Sequence, residues 1–502
     1  MQLNKALATQ QRSGLKEVPS EAILNLPEKV LQFGTGVLLR GLPDFFIDKA
    51  NRAGVFNGRV VVVKSTDSSG ADDFSLQDGL YTHCIRGVQA GVKVEENILN
   101  ASISRVLSAK SEWQDILQCA SNPSMQIVIS NTTEVGITLV KDNIHSLPPI
   151  SFPGKLLAFL YQRFKVFNGD VTKGMVIIPT ELITDNGKKL EAILLELAHQ
   201  NGLETAFIDW LEKANHFCNS LVDRIVPGKL PQAAQDKFEA EVGYTDTLSI
   251  MSEVYSLWAI EVKDAAVQDI LSFSTIDEGV VLAPDIEVFR ELKIRLLNGS
   301  HTFTCAMAHL AGFTTVKAAM ADSAFDQFIQ QLMFEGISPA ITGPSLSLDM
   351  AKDFAGKVLD RYRNPFIDHL WLSISLQYTS KMKLRNIPTL QQIAARTGNV
   401  PVNMCIGFAA YLLFLKSEQG ADGKYYGTLN GSNYAVNDDH AAYFSEAWKQ
   451  HGAAGIVKAV LTNKALWDVD LSALHGFETG VQAALDLLIE KGAQAVLAAQ
   501  AK

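Results

Sequence analysis

The chain has 502 residues, more than one ordinary hydrophobic core accommodates, so we expect two large domains. It is 47% hydrophobic and 20% charged, the balance of a globular protein, and its net charge of −10 argues against nucleic acid as a partner. An anionic small molecule remains compatible, since it needs only a local positive pocket.

Cysteine usage and the distribution of apolar residues indicate the compartment. The cysteines are odd in number, scattered and without a CxxC pair, which argues against a disulfide framework or a structural zinc site: Cys84, Cys119, Cys218, Cys305 and Cys405. The N-terminus lacks the apolar core of a signal peptide, and the run Ile406–Leu415 is far shorter than the roughly 20 residues that span a bilayer. We expect a cytoplasmic monomer or homodimer that does not contact a membrane.

The first half of the sequence alternates short apolar runs with amphipathic helical patterns. The runs predict buried strands at Lys29–Phe33, Arg59–Lys64, Met125–Ser130 and Met175–Thr180. Helical patterns between and after them cover Lys155–Phe164 and Lys188–Gln200. Nearly continuous apolar strands suit a parallel or mixed sheet that is covered on both faces, so this half predicts an α/β Rossmann-like domain.

Helical patterns dominate after about Pro284. They cover Pro284–Leu297, Thr302–Ala311, Ser323–Phe334, Pro365–Tyr378, Val402–Ser417 and an Ala-rich tail near Ala483–Ala499. The Gly/Asn-rich stretch Gly420–Asn437 predicts a long loop. We expect a Rossmann-like domain at residues 1–280 and a mostly α-helical domain at residues 281–502.

A glycine-rich turn follows the first predicted strand. Phe33 ends that strand, and Gly34, Thr35 and Gly36 come next, before a helical pattern that contains Arg40. Glycines here permit a tight turn and let backbone N–H groups approach a pyrophosphate. The third glycine of GxGxxG is absent, because Leu39 stands in its place. The position after the first strand favours a dinucleotide site.

The ends of the next two predicted strands supply further cofactor candidates. Asp67 could receive the ribose hydroxyls of NAD, whereas Lys64 and Ser65 could favour the 2′-phosphate of NADP, and the motif leaves this choice open. Asn131 and Thr132 follow the third strand, where cofactors of open α/β sheets lie.

The most informative stretch contains Lys293, Asn298 and His301. At about 100° per residue, His301 falls near 80° and Asn298 near 140° from Lys293, so one helix face can carry all three. Asn298-Gly299-Ser300 should interrupt the helix, and local rules are broken most often at functional sites. A lysine desolvated in a cleft can act as a base for an alcohol proton, Asn298 can donate to the oxyanion, and His301 can orient the substrate. This chemistry needs no metal.

The KxxxxNxxH pattern of Lys293, Asn298 and His301 resembles the signature of the polyol-specific long-chain dehydrogenases, the mannitol dehydrogenase family. Three other segments agree with it: Gln32–Arg40, Asn219–Pro227 and Trp258–Glu261. The resemblance covers most of the chain. It implies that the lysine is the general acid/base and that the asparagine and histidine assist.

Within the family, Ile129–Ile137 and Phe152–Leu156 are most similar to the uronate reductases. That similarity implies NAD-dependent interconversion of D-tagaturonate and D-altronate in hexuronate catabolism. Other substrates of the family stay open as alternatives: fructuronate (giving mannonate), mannitol and mannitol 1-phosphate. A more distant alternative is a protein that senses NAD(H) without catalysis.

One departure from the family concerns the second oxyanion donor. Polyol dehydrogenases of the family have Cys-Asp-Asn after a strand, where this chain has Thr180-Glu181-Leu182. The second donor is then lost or supplied elsewhere, with Asn186 as a candidate. Glu181 could instead contact substrate hydroxyls. The departure favours a sugar-acid substrate over mannitol.

A sugar-acid carboxylate needs a cation. The segment after the catalytic helix supplies Arg361, Arg363, Lys381, Lys383 and Arg385. We take Arg361 and Lys381 as substrate-binding candidates. Arginine is the better candidate of the two, because its guanidinium group pairs with a carboxylate through two bonds. Asp223 could bind substrate hydroxyls or be structural. We expect the site in the cleft between the two domains.

Overall fold

The structure is a computed structural model, and it describes residues 1–65, 72–132 and 135–500. The chain divides into two compact units: unit 1 comprises Met1–Arg86 and Lys93–Ile286, and unit 2 comprises Gly87–Val92 and Glu287–Lys502. Asp67, the candidate ribose ligand, lies outside the described residues. No helix of the described ranges is long and apolar enough to cross a membrane.

The elements of unit 1 carry most of the strands. Its strands are β1 (Glu28–Phe33), β2 (Arg59–Lys64), β3 (Tyr81–Gln89), β4 (Val92–Asn100), β5 (Ile103–Ser108), β6 (Ile127–Ser130), β7 (Val176–Pro179), β8 (His216–Phe217), β9 (Ser220–Asp223), β10 (Ile250–Ser252), β11 (Leu257–Glu261) and β12 (Val280–Ala283). Its helices are α1 (Lys5–Ala8), α2 (Glu21–Leu24), α3 (Val37–Gly41), α4 (Pro43–Arg52), α5 (Asp73–Leu76), α6 (Trp113–Cys119), α7 (Phe152–Val166), α8 (Asn186–Gln200), α9 (Thr205–Ala214), α10 (Gln232–Val242) and α11 (Ala265–Ile270), with 3-10 turns at Val171–Lys173 and Ser272–Ile276.

The elements of unit 2 are mostly helical. Its helices are α12 (Glu287–Glu291), α13 (Ser300–Leu310), α14 (Val316–Met320), α15 (Ser323–Gln331), α16 (Ser338–Ile341), α17 (Leu348–Tyr362), α18 (Trp371–Ile374), α19 (Tyr378–Lys381), α20 (Ile387–Thr397), α21 (Val402–Phe414), α22 (Ala441–Leu461), α23 (Lys464–Trp467), α24 (Phe477–Lys491) and α25 (Ala493–Gln500). π-helical segments cover Leu292–Gly299, Leu332–Ile337 and Met382–Asn386, and a 3-10 turn covers Leu471–Ala473. Its strands are β13 (Glu418–Gln419), β14 (Tyr425–Leu429) and β15 (Ser432–Ala435).

The central sheet of unit 1 is parallel, with the order β5-β2-β1-β6-β7-β8 in the described part of the chain. This order is that of a dinucleotide-binding α/β fold, in which the strand sequence reverses direction beside β1. Phe33 at the end of β1 pairs with Ser130 at the end of β6, so the loops after both strands leave the same edge. The predicted fold class is therefore confirmed for this half of the chain.

Both faces of the central sheet are buried because its strands are apolar on successive residues. Leu31, Val61 and Val128 pack with α6–α9 on one face. Val30 and Val60 pack on the other face, with α3 and α4. Burial on both sides explains why these strands could be predicted as continuous apolar runs. Two further three-stranded sheets, β10-β3-β4 and β12-β11-β9, were not predicted.

Unit 2 is rich in helices, as predicted, with two local differences. The predicted helix Pro365–Tyr378 is wrong, because the Asn364 side chain accepts the Phe366 N–H in a turn and Leu370 bridges Thr315 in extended form. The predicted loop Gly420–Asn437 is also wrong. It holds the antiparallel pairs of β13–β15, whose tight turn uses left-handed Asn430 and Gly431.

Candidate active site

The glycine turn after β1 has the geometry that a close backbone approach requires. Gly34 has φ +124°, and an added Cβ would lie 2.8 Å from the Asn131 carbonyl oxygen, so glycine is needed there. Gly36 caps α3, and its missing Cβ faces open space within 4 Å. Thr35 is half-buried, while Phe33 packs edge-on against Phe152 at 5.1 Å. The turn leaves space beside its backbone for a ligand.

A set of mutually bonded side chains, here called the β6 network, fixes the loop after β6. It consists of Ser130, Asn131, Thr132, Thr180 and Glu181. The Asn131 Nδ2 donates to the Thr180 carbonyl and hydroxyl oxygens, each at 3.0 Å. The Thr132 N–H and hydroxyl donate to one oxygen of Glu181 at 2.9 and 3.1 Å, and the Ser130 hydroxyl donates to the other at 3.1 Å. Glu181 is 3% exposed, and both of its carboxylate oxygens accept hydrogen bonds from this loop. Glu181 therefore stabilises the conformation of the loop. The predicted contact between Glu181 and substrate hydroxyls stays a prediction, and these hydrogen bonds do not support it.

Arg40 does not lie where the glycine-turn prediction put it. Its guanidinium is buried over the rings of Phe74 and Tyr81, and it donates to the Leu248 carbonyl. Only 8% of the residue is exposed, so it stabilises the interior of unit 1 and does not present a charge to a cofactor. Lys64, the candidate for a 2′-phosphate, is bonded to Asp72, while Ser65 is exposed.

The structure also tests the candidates for the missing oxyanion donor and for substrate hydroxyls. Asn186 is 1% exposed, and its amide donates to the carbonyls of Pro179, Glu181 and Ser220 at 2.9–3.1 Å. It has no N–H left for a substrate, so Asn186 is wrong as the second donor. Asp223 is buried at the end of β9, and its assignment to substrate stays a prediction.

Lys293, Asn298 and His301 lie on one continuous helical run whose middle is a π-helix. α12, the π segment Leu292–Gly299 and α13 follow one another without a break, so the predicted interruption at Asn298–Ser300 is wrong. A π-helix bonds to the fifth residue and advances by roughly 80° per residue, less than an α-helix. About the helix axis, Asn298 then lies roughly 40° to one side of Lys293, and His301 lies roughly 40° to the other side. The three side chains are therefore closer together than the α-helical spacing predicted.

The glycine in this helix has a packing role. An added Cβ on Gly299 would lie 3.1 Å from the Asn386 side-chain oxygen, on the facing π segment Met382–Asn386. The close approach of these two π segments brings Arg385 beside the helix that carries Lys293, Asn298 and His301. The Arg385 Nη1 donates to the Thr302 hydroxyl at 3.2 Å and to the Asn298 carbonyl at 3.5 Å.

Aromatic rings surround His301. Its imidazole stacks on Tyr362 with centroids 4.0 Å apart, and it meets the edges of His369 at 5.2 Å and Trp371 at 5.8 Å. Tyr362 is held by a 2.8 Å bond with the Ser300 hydroxyl and donates to the Leu297 carbonyl at 2.9 Å. The His301 Nδ1 is buried and has no hydrogen-bond partner in the described part of the chain.

Cations also gather about His301. Burial, then the neighbouring His369 and then the charges of Arg361, Arg385 and Lys381 lower the pKa of His301 well below the usual histidine value, so the ring is neutral at pH 7. The Lys381 ammonium donates to the Ile374 carbonyl at 3.0 Å. We call His301, Tyr362, His369, Trp371, Arg361, Lys381 and Arg385 the His301 cluster.

The five cationic residues that were candidates for the carboxylate site fall into two groups. Arg363 donates through Nη2 to both oxygens of Asp326 at 2.7 and 3.0 Å, and Lys383 pairs with Asp468 at 2.9 Å. These two are committed to ion pairs outside the cluster. Arg361, Lys381 and Arg385 are the ones whose charge reaches His301.

Lys293 and Asn298 are half-buried, and the Asn298 amide bonds to no other described residue. Sequence reasoning missed Tyr362, His369 and Trp371, which lie 61 to 70 positions beyond His301 and follow no motif. No group of described His, Cys, Asp and Glu side chains has the arrangement of a metal site.

The parallel sheet with its glycine turn, together with an amine, an amide and an imidazole on one helix face, defines a dehydrogenase of the Rossmann type that acts on a CH–OH carbon. The chain belongs to the mannitol dehydrogenase family. The family's Mannitol dehydrogenase Rossmann domain matches residues 28–270, and its Mannitol dehydrogenase C-terminal domain matches residues 285–489.

Two curated relatives extend over nearly the whole chain. "Altronate oxidoreductase" of Bacillus subtilis (strain 168) is 38% identical over 476 residues, covering 94% of this chain and 95% of the relative. "Altronate oxidoreductase" of Escherichia coli (strain K12) is 37% identical over 475 residues, covering 93% and 95%.

Solved structures share the fold of the chain. The Pseudomonas fluorescens mannitol 2-dehydrogenase ternary complex with NAD and D-mannitol has a TM-score of 0.65 at 22% identity, covering 99% of both chains. A substrate-free D-sorbitol dehydrogenase has a TM-score of 0.78 at 20% identity, covering 99% of this chain and 100% of the other.

Proposed function

We propose that this protein interconverts D-tagaturonate and D-altronate with NAD(H), as a step of hexuronate catabolism. The names of the curated relatives support this substrate pair. The observation that carries the proposal is the cation group of the His301 cluster. Arg361, Lys381 and Arg385 all lower the pKa of one buried imidazole, and a substrate carboxylate would offset the repulsion between Lys381 and Arg385.

The glycine turn fits a dinucleotide. Gly34 adopts a conformation that only glycine accepts easily, and the space beside Gly36 admits a pyrophosphate. The β6 network holds Asn131 and Thr132 at the adjacent strand end, where they would contact such a cofactor. NADH bound there would supply the hydride that reduces the carbonyl carbon of tagaturonate. Lys64 is already paired with Asp72, which favours NAD over NADP.

Lys293 is the general acid in the direction of reduction. Its ammonium gives a proton to the carbonyl oxygen as the carbonyl becomes an alcohol, and in oxidation the amine takes that proton back. The Asn298 amide donates to the same oxygen while negative charge develops on it. His301 is neutral, so it orients the substrate hydroxyls by hydrogen bonding without adding charge.

A substrate panel tests the proposal. The purified protein would be assayed with tagaturonate, fructuronate, fructose and fructose 6-phosphate, each under NADH and NADPH. We expect the highest kcat/KM for tagaturonate with NADH. A preference for fructuronate, a ketose or its phosphate would replace the proposed substrate, and cofactor binding without turnover of any compound would mean that the protein senses NAD(H).

Lys381 and Lys383 offer a matched pair for the carboxylate site. Lys381 belongs to the His301 cluster, whereas Lys383 is two positions away and pairs with Asp468. We expect Lys381→Met to raise the KM for tagaturonate by roughly tenfold or more, since a charged hydrogen bond is lost. Lys383→Met should leave that KM unchanged. Equal effects of the two substitutions would contradict the assignment of Lys381.

A further inference from the structure

His369 has a fixed backbone and an uncommitted side chain. Its carbonyl accepts the Val316 N–H at 2.9 Å, and the next residue, Leu370, bridges Thr315. Trp371 then donates its backbone N–H to the Thr314 carbonyl at 3.1 Å. These backbone bonds to residues 314–316 hold the position of His369, although it lies in a loop between α17 and α18.

The imidazole of His369 itself donates to and accepts from nothing in the described ranges, and the residue is half-buried. Its nitrogens are therefore available to a ligand. The ring lies edge-on to His301, with centroids 5.2 Å apart. It therefore reaches the same space as the proposed catalytic histidine.

The charges around His369 indicate which part of a substrate it meets. Burial, then Lys381 and then Arg361, lower the pKa of His369, so it is neutral at pH 7 and carries one N–H. Lys381 and Arg361 also act on His301. An anion bound beside Lys381 would therefore lie near the His369 ring.

We propose that His369 is a substrate-binding residue that donates a hydrogen bond to the carboxylate of the sugar acid, beside Lys381 and Arg361. This inference rests on the proposed function, because it assumes an acid substrate. It adds a neutral donor to the cationic site. Cations alone attract any anion, whereas a donor whose backbone is held in place also sets the orientation of the carboxylate plane.

The test separates binding from chemistry. We expect His369→Ala in the full-length protein to raise the KM for tagaturonate roughly 10- to 100-fold, with a much smaller change in kcat and an unchanged KM for NADH. His369→Gln and His369→Asn keep an N–H donor, and the better of the two should recover part of the loss. Calorimetric binding of altronate should weaken in the same order as KM rises.

His309 provides a matched control within unit 2. It is also half-buried and packed on aromatic rings, Phe414 at 5.5 Å and Tyr434 at 4.5 Å, but burial alone lowers its pKa and no cation contributes. His309→Gln should leave the KM for tagaturonate unchanged.

Two failures can be told apart. If the wild-type protein reduces no sugar acid, both the proposed function and the role of His369 are wrong. If the wild type reduces tagaturonate but His369→Ala keeps its KM, or loses only kcat, the role of His369 alone is overturned, because a residue that merely supports the His301 ring would act on kcat.

Discussion

The β6 network and the His301 cluster are both polar, yet their hydrogen bonding differs. In the β6 network the Asn131 amide donates to Thr180, and Glu181 accepts bonds from Ser130 and Thr132 with both of its oxygens. In and beside the His301 cluster, three buried atoms have no hydrogen-bond partner among the described residues: the His301 Nδ1 and both polar atoms of the Asn386 side chain.

This difference in hydrogen bonding suggests that the β6 network stabilises the fold and that the His301 cluster binds a ligand. Folding ordinarily satisfies buried polar groups, so the bonded β6 network stabilises the edge of the sheet. A cluster that stays unsatisfied costs free energy, and its bonds are supplied when a ligand binds. Substitutions in the His301 region should therefore change activity with little change in stability, and those in the β6 network should change stability first.

The largest expected effect is that of Lys293→Ala. Loss of the general acid should lower kcat by roughly 10²- to 10⁴-fold, while the free energy of unfolding changes little. Steady-state kinetics and urea titration would measure the two quantities. Lys357→Ala removes an exposed lysine of α17 that pairs with Asp353, and it should leave kcat unchanged.

Asn298→Ala should reduce kcat by about 10²-fold, because it removes a donor to the developing oxyanion. The KM for tagaturonate should change much less, since the donor acts mainly in the transition state. Asn433→Ala, which removes an exposed amide of β15, serves as the control. An Asn298→Ala protein that lost only substrate affinity would show that the amide holds the ground state.

Asp44 is a buried group in unit 1 that has an oxygen without a hydrogen-bond partner among the described residues. It tests whether such a group affects stability when it lies outside the His301 cluster. Its carboxyl is fully buried, accepts from the Gln32 amide at 3.3 Å and has one oxygen without a partner within the described residues. Burial raises the pKa of Asp44 to about 7 from an unfolded value of 3.8. The folded state therefore holds an extra proton between these values, and stability falls as pH rises through that window.

Asp44→Asn should remove this dependence. The free energy of unfolding of the variant, relative to the wild type, should rise by on the order of a few kcal/mol between pH 4.5 and 7 and then level off. Urea titrations at several pH values would measure it, with the exposed Asp236→Asn as control. A difference that did not depend on pH would show that Asp44 is ionised throughout.

Glu181→Gln has the smallest expected effect and acts on the β6 network. It places an amide N–H against donors of Ser130 or Thr132, which should lower the free energy of unfolding by about 1–3 kcal/mol. NADH binding should weaken with it. The exposed Glu196→Gln is the control. If Glu181→Gln instead left stability intact and raised the KM for tagaturonate, Glu181 would contact substrate.

Much of the fold follows from local sequence, because the strands of the central sheet are apolar on both faces and repeat a simple pattern. β2 was predicted with its observed bounds, and α13, α15 and α21 to within a few residues. The hairpin of β14 and β15 was missed because its alternation is weak and its strands are partly exposed.

The motif predicted that Lys293, Asn298 and His301 lie on one helix face, but it did not predict the rotation about the helix axis between them. Sequence reasoning assumed α-helical spacing, and the π segment Leu292–Gly299 changes the rotation between Lys293 and Asn298. Arg40 was misplaced because sequence does not show which way a long side chain turns. His369 joins the cluster through backbone bonds with residues 314–316, a tertiary arrangement without a local signal.

Chemical rescue of Lys293→Ala by small primary amines tests the central claim most directly. If the ammonium of Lys293 supplies the proton to the substrate oxygen, added methylamine or ethylamine should restore turnover in proportion to its concentration, with a rate that depends on the pKa of the amine. Near-wild-type turnover of the folded variant without amine, or a loss that no amine restores, would contradict the account.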